Sequence, residues 1–96
     1  MTYTLTLEAE ISAKRSEILA AAPDPIALDP LASQWSSLMD SAIVEIGGFI
    51  EVYQGSNLRA LLDWVDALSD AYFDAADWSS YSDYVSAAPT SITVEA

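Results

Sequence analysis

The chain has 96 residues and a mass of 10.3 kDa, enough for one domain with a small core. It carries 15 acids against 3 bases, for a net charge of −12 and an isoelectric point near 4.1. With Lys14, Arg15 and Arg59 as its cations, it lacks the several basic contacts that a nucleic-acid backbone or an anionic membrane surface requires.

The absence of Cys and His excludes disulfides, thiol catalysis, Cys/His zinc sites and a Ser-His-Asp triad. No internal repeat and no low-complexity tract is present. The longest uncharged stretches, Pro30–Met39 and Tyr84–Val94, fall short of the ~18 apolar residues of a membrane span. Met1–Ile11 has no basic region and carries Glu8 and Glu10, which does not fit a secretory signal. A cytoplasmic setting is the expectation, meaning host cytoplasm or virion if the chain is phage-encoded.

In chain order, residues 1–6 read as an extended arm, in which Tyr3 and Leu5 alternate with Thr2, Thr4 and Thr6. A first helix follows over Leu7–Ala22, with Thr6 as cap and Leu7, Ile11, Ile18, Leu19 and Ala22 on one face. Glu10 and Lys14 form an i,i+4 pair on it. Pro23-Asp24-Pro25 breaks this helix, and Asp29-Pro30 reads as the cap and first residue of the next. The second helix is predicted over Pro30–Gln54 on Leu31, Trp35, Leu38, Ala42, Ile46, Phe49 and Tyr53, spaced 4-3-4-4-3-4. Gly47-Gly48 in its interior predicts a kink or a close approach of another backbone. Gly55 serves as C-cap, with Ser56 or Asn57 capping a third helix over Leu58–Asp77. Its apolar side is Leu58, Leu61, Val65, Leu68, Tyr72, Ala75 and Ala76, and the short connection makes the two helices antiparallel. A last short helix covers Ser79–Ala87, with Trp78 at its start, and Ala88-Pro89 ends it. Residues 90–96 form an extended tail. The fold class is mainly α: a single-domain, small antiparallel helical bundle of about three helices plus a short C-terminal one, with short extended arms at both ends.

The most distinctive feature is acidic. Asp63, Asp66, Asp70, Asp74 and Asp77, spaced 3-4-4-3, would share an arc of ~80° on one continuous helix and span ~21 Å. Three readings follow: a solvated face that keeps an apolar domain soluble, a mimic of nucleic-acid phosphates, or a docking face for a basic patch on an assembly partner. One DNA strand carries a phosphate every ~3.4 Å, so a mimic needs a second row from Asp40, Glu45, Glu51 or Asp83. Asp63, Asp66 and Asp70 could meet a hard cation in principle. No Asp-x-Asx-x-Asx-Gly loop and no Glu-x-x-His pair accompanies them, so neither metal nor cofactor is expected. No set of residues fills the roles of nucleophile, acid and base, so no enzyme is expected.

The apolar fraction is 52% and the mean hydropathy +0.23, high for so small a chain. Trp64 and Phe73 lie at the two edges of the third helix's apolar face, and Trp78, Tyr81 and Tyr84 follow where that helix should end. They read either as core or as an apolar interface built on aromatic anchors. The expected function is therefore a non-enzymatic, acidic protein–protein interaction protein: an oligomer or complex member, such as a small subunit or accessory factor of a larger, phage-type assembly. Its expected partner is a protein with a basic patch, with no direct nucleic-acid or membrane binding. The alternative is a nucleic-acid-mimicking inhibitor of a DNA- or RNA-binding complex such as a nuclease.

Overall fold

Every terminal strand and every long apolar stripe finds a partner inside the same chain. A computed structural model describes residues 2–53 and 55–93 in the order β1 (Thr2–Thr4), α1 (Glu8–Ala21), α2 (Pro25–Ile50), α3 (Ser56–Asp70), a 3-10 turn (Ala75–Asp77), α4 (Trp78–Ala87) and β2 (Ser91–Thr93). The fold is the small helical bundle that the sequence predicts, and the two arms, predicted only as extended, pair with each other as a two-stranded antiparallel sheet. The second helix, predicted to run to Gln54, ends at Ile50 and the chain is non-helical over 51–53; Gln54 itself, residues 94–96 of the predicted tail and Met1 lie outside the described residues.

The longest element organises the rest. At 1.5 Å per residue, the 26 residues of α2 extend ~39 Å, which accounts for most of the 44 Å long axis. It packs on α1, α3 and the 3-10 turn. Its start is five residues earlier than Asp29-Pro30 predicts. Asp24 is the cap, its carboxylate accepting the Ile26 N–H at 3.0 Å, and Pro25 takes the first helical position. Pro30 lies inside the helix and removes one N–H. The earlier start prevails because it brings Leu28, which is fully buried, into the core. The buried stripe of α2 is Leu28, Trp35, Met39, Ala42 and Ile46, with Leu31, Leu38 and Phe49 half-buried beside it.

On α1, Ile11 and Ile18 are buried, whereas Leu19, predicted on the same face, is 46% exposed. Lys14 bonds Glu17 at 2.6 Å and Gln34 of α2 at 2.6 Å, in place of the predicted Glu10. The C-terminal half departs further from expectation. The predicted helix over Leu58–Asp77 is two elements, because α3 ends at Asp70 and the chain is non-helical from Tyr72 to Asp74. Asp74 then starts the 3-10 turn by accepting the Ala76 N–H at 2.9 Å, and α4 runs on from it. This break lets Phe73 turn inward, 5.2 Å from Trp78 in an edge-to-face pair.

The arms pair with each other in the register Thr2↔Thr93, Tyr3↔Ile92 and Thr4↔Ser91. The Leu5 N–H extends the pairing to the Thr90 carbonyl at 2.9 Å. A hairpin of this size is marginal alone. Its inner face is covered by an aromatic floor: Tyr3 lies 4.3 Å from Phe49 and 6.4 Å from Trp64. The Trp64 indole N–H donates to the Pro89 carbonyl at 3.2 Å and ties α3 to the same corner.

Gly47 and Gly48 correct a second expectation, since a Cβ added at either would meet nothing within 4 Å. No backbone approaches them, and α2 continues through both. Gly47→Ala and Gly48→Ala are each expected to stabilise the fold by ~0.4–1 kcal/mol, through helix propensity and a restricted unfolded chain. Urea melts of the two single variants measure this, and a loss at either position would contradict the open geometry. Gly55 differs: its φ of +68° is a left-handed conformation just before α3 that other residues adopt at a cost.

Candidate functional site

The acidic row is divided between two environments. Asp63, Asp66 and Asp70 are exposed on α3, seven residue steps or ~10 Å from first to last. Asp74 and Asp77 lie beyond the end of that helix, and both have local tasks. Asp74 caps the 3-10 turn, and Asp77, at the start of α4, accepts the Ser80 hydroxyl at 3.0 Å. The single continuous face of five carboxylates is not formed. A signal for the break exists in the sequence: Asp74-x-x-Asp77 followed by Trp78 is the pattern of a helix start.

The predicted aromatic interface divides as well. Trp64, Phe73 and Trp78 belong to the buried core. Tyr81 is half-buried and Tyr84 is 52% exposed. Of the five residues, these two remain available to a partner. Among the described residues, the other large exposed apolar side chains are Leu19, Ile26, Val44, Val52 and Leu62, distributed over α1, α2, the turn after α2, and α3. Much of the apolar surplus that predicts self-association is thus taken up inside the chain.

The three cations are all engaged. Lys14 holds Glu17 and Gln34, and Arg59 meets Asp63 at 3.4 Å in an exposed pair that contributes little to stability. Arg15 turns inward. Its Nε donates to the Val85 carbonyl at 3.1 Å, and its terminal nitrogen donates to the Ala88 carbonyl. Its guanidinium carbon lies 5.9 Å from the centre of the Trp35 ring. Burial moves the Arg15 pKa below its usual value. Nothing in the sequence spacing marks Arg15 as the cap of a distant helix.

Two carboxylates also turn out to be structural. Glu45 of α2 accepts from the Tyr3 hydroxyl, from the Thr6 N–H at 3.1 Å and from the Thr6 hydroxyl at 3.2 Å. It therefore fastens the N-terminal arm, and its charge lies near the start of α1, where the helix dipole favours an anion. That hydrogen bond, together with burial and the charge of Glu45, raises the Tyr3 pKa. Asp40 accepts the Tyr72 hydroxyl, and burial first, then the bond and charge of Asp40, push the Tyr72 pKa up to about 12. Asp40 and Glu45 are thus not a free second row for a phosphate mimic.

An open cleft of about 320 Å³ is lined by Ser69, Asp70, Tyr72, Phe73, Asp74 and Tyr81 and so mixes carboxylates with aromatic rings. A broader depression of about 450 Å³ between α1 and α2 is lined by Lys14, Gln34, Ser37, Leu38 and Ser41. The space beneath the terminal sheet is filled by Tyr3, Phe49, Tyr53, Leu61, Trp64 and Ile92. Among the described residues, no three His, Cys, Asp or Glu side chains converge on a metal-holding geometry. No helix among them is long and apolar enough to cross a membrane. No family model, curated protein or solved structure matches the chain.

Proposed function

We propose that the chain is a non-enzymatic interaction protein whose acidic surface docks on a basic protein partner, as a small subunit or accessory factor of a larger assembly. The observation that carries this reading is the disposition of charge. With Lys14, Arg15 and Arg59 all engaged within the chain, Asp66 and Asp70 sit on an exposed helix face with no ion pair among the described residues. Such a surface attracts a cationic partner at long range, and the association is salt-sensitive. It also repels a second copy of itself, which favours a hetero-complex over a homo-oligomer. The phosphate-mimic alternative has less geometry to stand on, because the row shortens to ~10 Å and Asp40 and Glu45 hold tyrosines.

The test is capture of the partner from the native source, its identification, and its affinity for two forms of the chain at two ionic strengths. The triple variant Asp63→Asn, Asp66→Asn, Asp70→Asn is expected to keep its helicity, because relief of like-charge repulsion offsets the lost Arg59 pair. It is expected to bind at least about tenfold more weakly, with a flatter salt dependence. Equal affinity and equal salt slope would overturn the docking reading for this face. A nucleic-acid-binding partner from which the wild type alone displaces nucleic acid would establish mimicry instead.

A further inference from the structure

We propose that the groove at the junction of α3 and α4 receives an arginine side chain of that basic partner, a reading that rests on the interaction function above for the source of the arginine. The groove is an open depression of about 320 Å³, with room for one long side chain lying along it. Two of its lining residues are carboxylates, Asp70 and Asp74, and three are aromatic, Tyr72, Phe73 and Tyr81. A guanidinium is planar and weakly hydrated, pairs with carboxylates and stacks on rings. A neutral planar group can stack here and donate a hydrogen bond, but it lacks the charge that pairs with Asp70 and Asp74.

Local electrostatics supply a second argument. The groove lies at the C-terminal end of α3, where the helix dipole is negative and a cation is favoured. That end has no basic residue in its last turn, and its last residue is Asp70. An acid on the negative end of a helix, with Asp74 lining the same groove, is a charge arrangement that no ion pair among the described residues compensates. The cations that could relieve it are committed to Glu17 and Gln34, to carbonyls at the end of α4, and to Asp63. The hydroxyl of Tyr72 is committed to Asp40, and one oxygen of Asp74 to the Ala76 N–H. The ring of Tyr72, the carboxylate of Asp70 and the second oxygen of Asp74 remain for a ligand. A second copy of the chain carries the same net charge of −12 and is repelled at long range, so the arginine is assigned to another protein.

The experiment is NMR of the intact chain at low ionic strength, titrated with N-acetyl-arginine amide and, separately, with N-acetyl-citrulline amide, which has nearly the same shape and no charge. Saturable shifts are expected at the Ser69–Asp74 amides and at the rings of Tyr72, Phe73 and Tyr81 with the arginine compound alone. Asp70→Asn and Tyr81→Leu are each expected to weaken binding by about three- to fivefold. Asp70→Asn is also expected to raise the melting temperature, since it removes an acid from a helix C-terminus, so its weaker binding cannot be ascribed to unfolding. Shifts spread evenly over all exposed acids, absence of saturation, or equal binding by Asp70→Asn would overturn the site. A captured basic partner together with a silent groove would remove this site and keep the docking reading. A responsive groove with no captured partner would do the reverse.

Discussion

Trp35→Ala is expected to destabilise the fold by ~3–5 kcal/mol, a large share of the ~5–15 kcal/mol that holds a domain together. Trp35 is the largest fully buried side chain among the described residues, and it ties its own helix to two others. It is carried by α2, its ring lies under the Arg15 guanidinium of α1, and its indole N–H donates to the Ala71 carbonyl at the end of α3, at 2.9 Å. Truncation therefore opens a cavity and strips a buried carbonyl of its donor. Trp35→Phe separates these effects, because much of the apolar contact remains and the donor does not. Its expected cost is ~1–3 kcal/mol from the unsatisfied carbonyl, with additional loss from the smaller ring. Urea melts give the totals. Hydrogen exchange locates the damage, which should concentrate in the last turn of α3. A Trp35→Phe variant within ~0.5 kcal/mol of wild type would show that the indole bond contributes nothing net.

The same residue shows what the sequence conveys and what it omits. Trp35 is predicted as core because it falls on the apolar stripe of α2, and the period of that stripe survives in the fold. The break at Pro23 and the alternation in both arms were legible for equally local reasons: fixed φ, and side chains on opposite faces of a strand. The end of α3 was not legible in the same way. No Pro or Gly stands between Ala71 and Asp77, so propensity alone carries the helix onward. Asp74 marks where the next turn starts, but what stops α3 before it is non-local: an indole from 36 residues earlier takes the Ala71 carbonyl, and Phe73 finds Trp78 by leaving the helix. Trp64 shows the same limit. By helical angle it sits at the edge of its apolar face, yet Tyr3 and Pro89 cover it from opposite ends of the chain.

The candidate site follows this division. That the acids would be exposed was legible from composition, since carboxylates without cationic partners stay in water. Their grouping was not, because it depends on where α3 stops. Asp70 changes meaning with that stop. In a longer helix it is the middle of a row. At the real terminus it lies on the negative end of a dipole, lining a groove with three aromatic residues.

Arg15→Met is expected to cost ~1.5–3 kcal/mol, the range for hydrogen bonds to a charged group, and to do so mainly in the C-terminal third of the chain. The ten residues of α4 are too few to hold a helix in isolation, and the last turn has no basic residue of its own. Arg15 supplies one from α1, 70 positions earlier in sequence, by bonding the Val85 and Ala88 carbonyls. Both residues are buried, so water cannot readily replace the guanidinium. The methionine retains much of the stem's packing against Trp35, which isolates the polar contribution. The effect should travel beyond α4. Pro89 accepts the Trp64 indole and Thr90 accepts the Leu5 N–H, so loosening Ala88 slackens the anchor of the terminal sheet. Amides from Val85 to Ile92 should exchange faster, while those in the middle of α2 keep their protection. Arg15→Lys should recover no more than about half of the loss, because a single ammonium cannot reproduce the fork that spans two carbonyls. Unchanged protection over Val85–Ile92 in Arg15→Met would show that the carbonyl contacts do not hold this corner. Full recovery by lysine would show that charge at the helix end, rather than the fork, is what α4 requires.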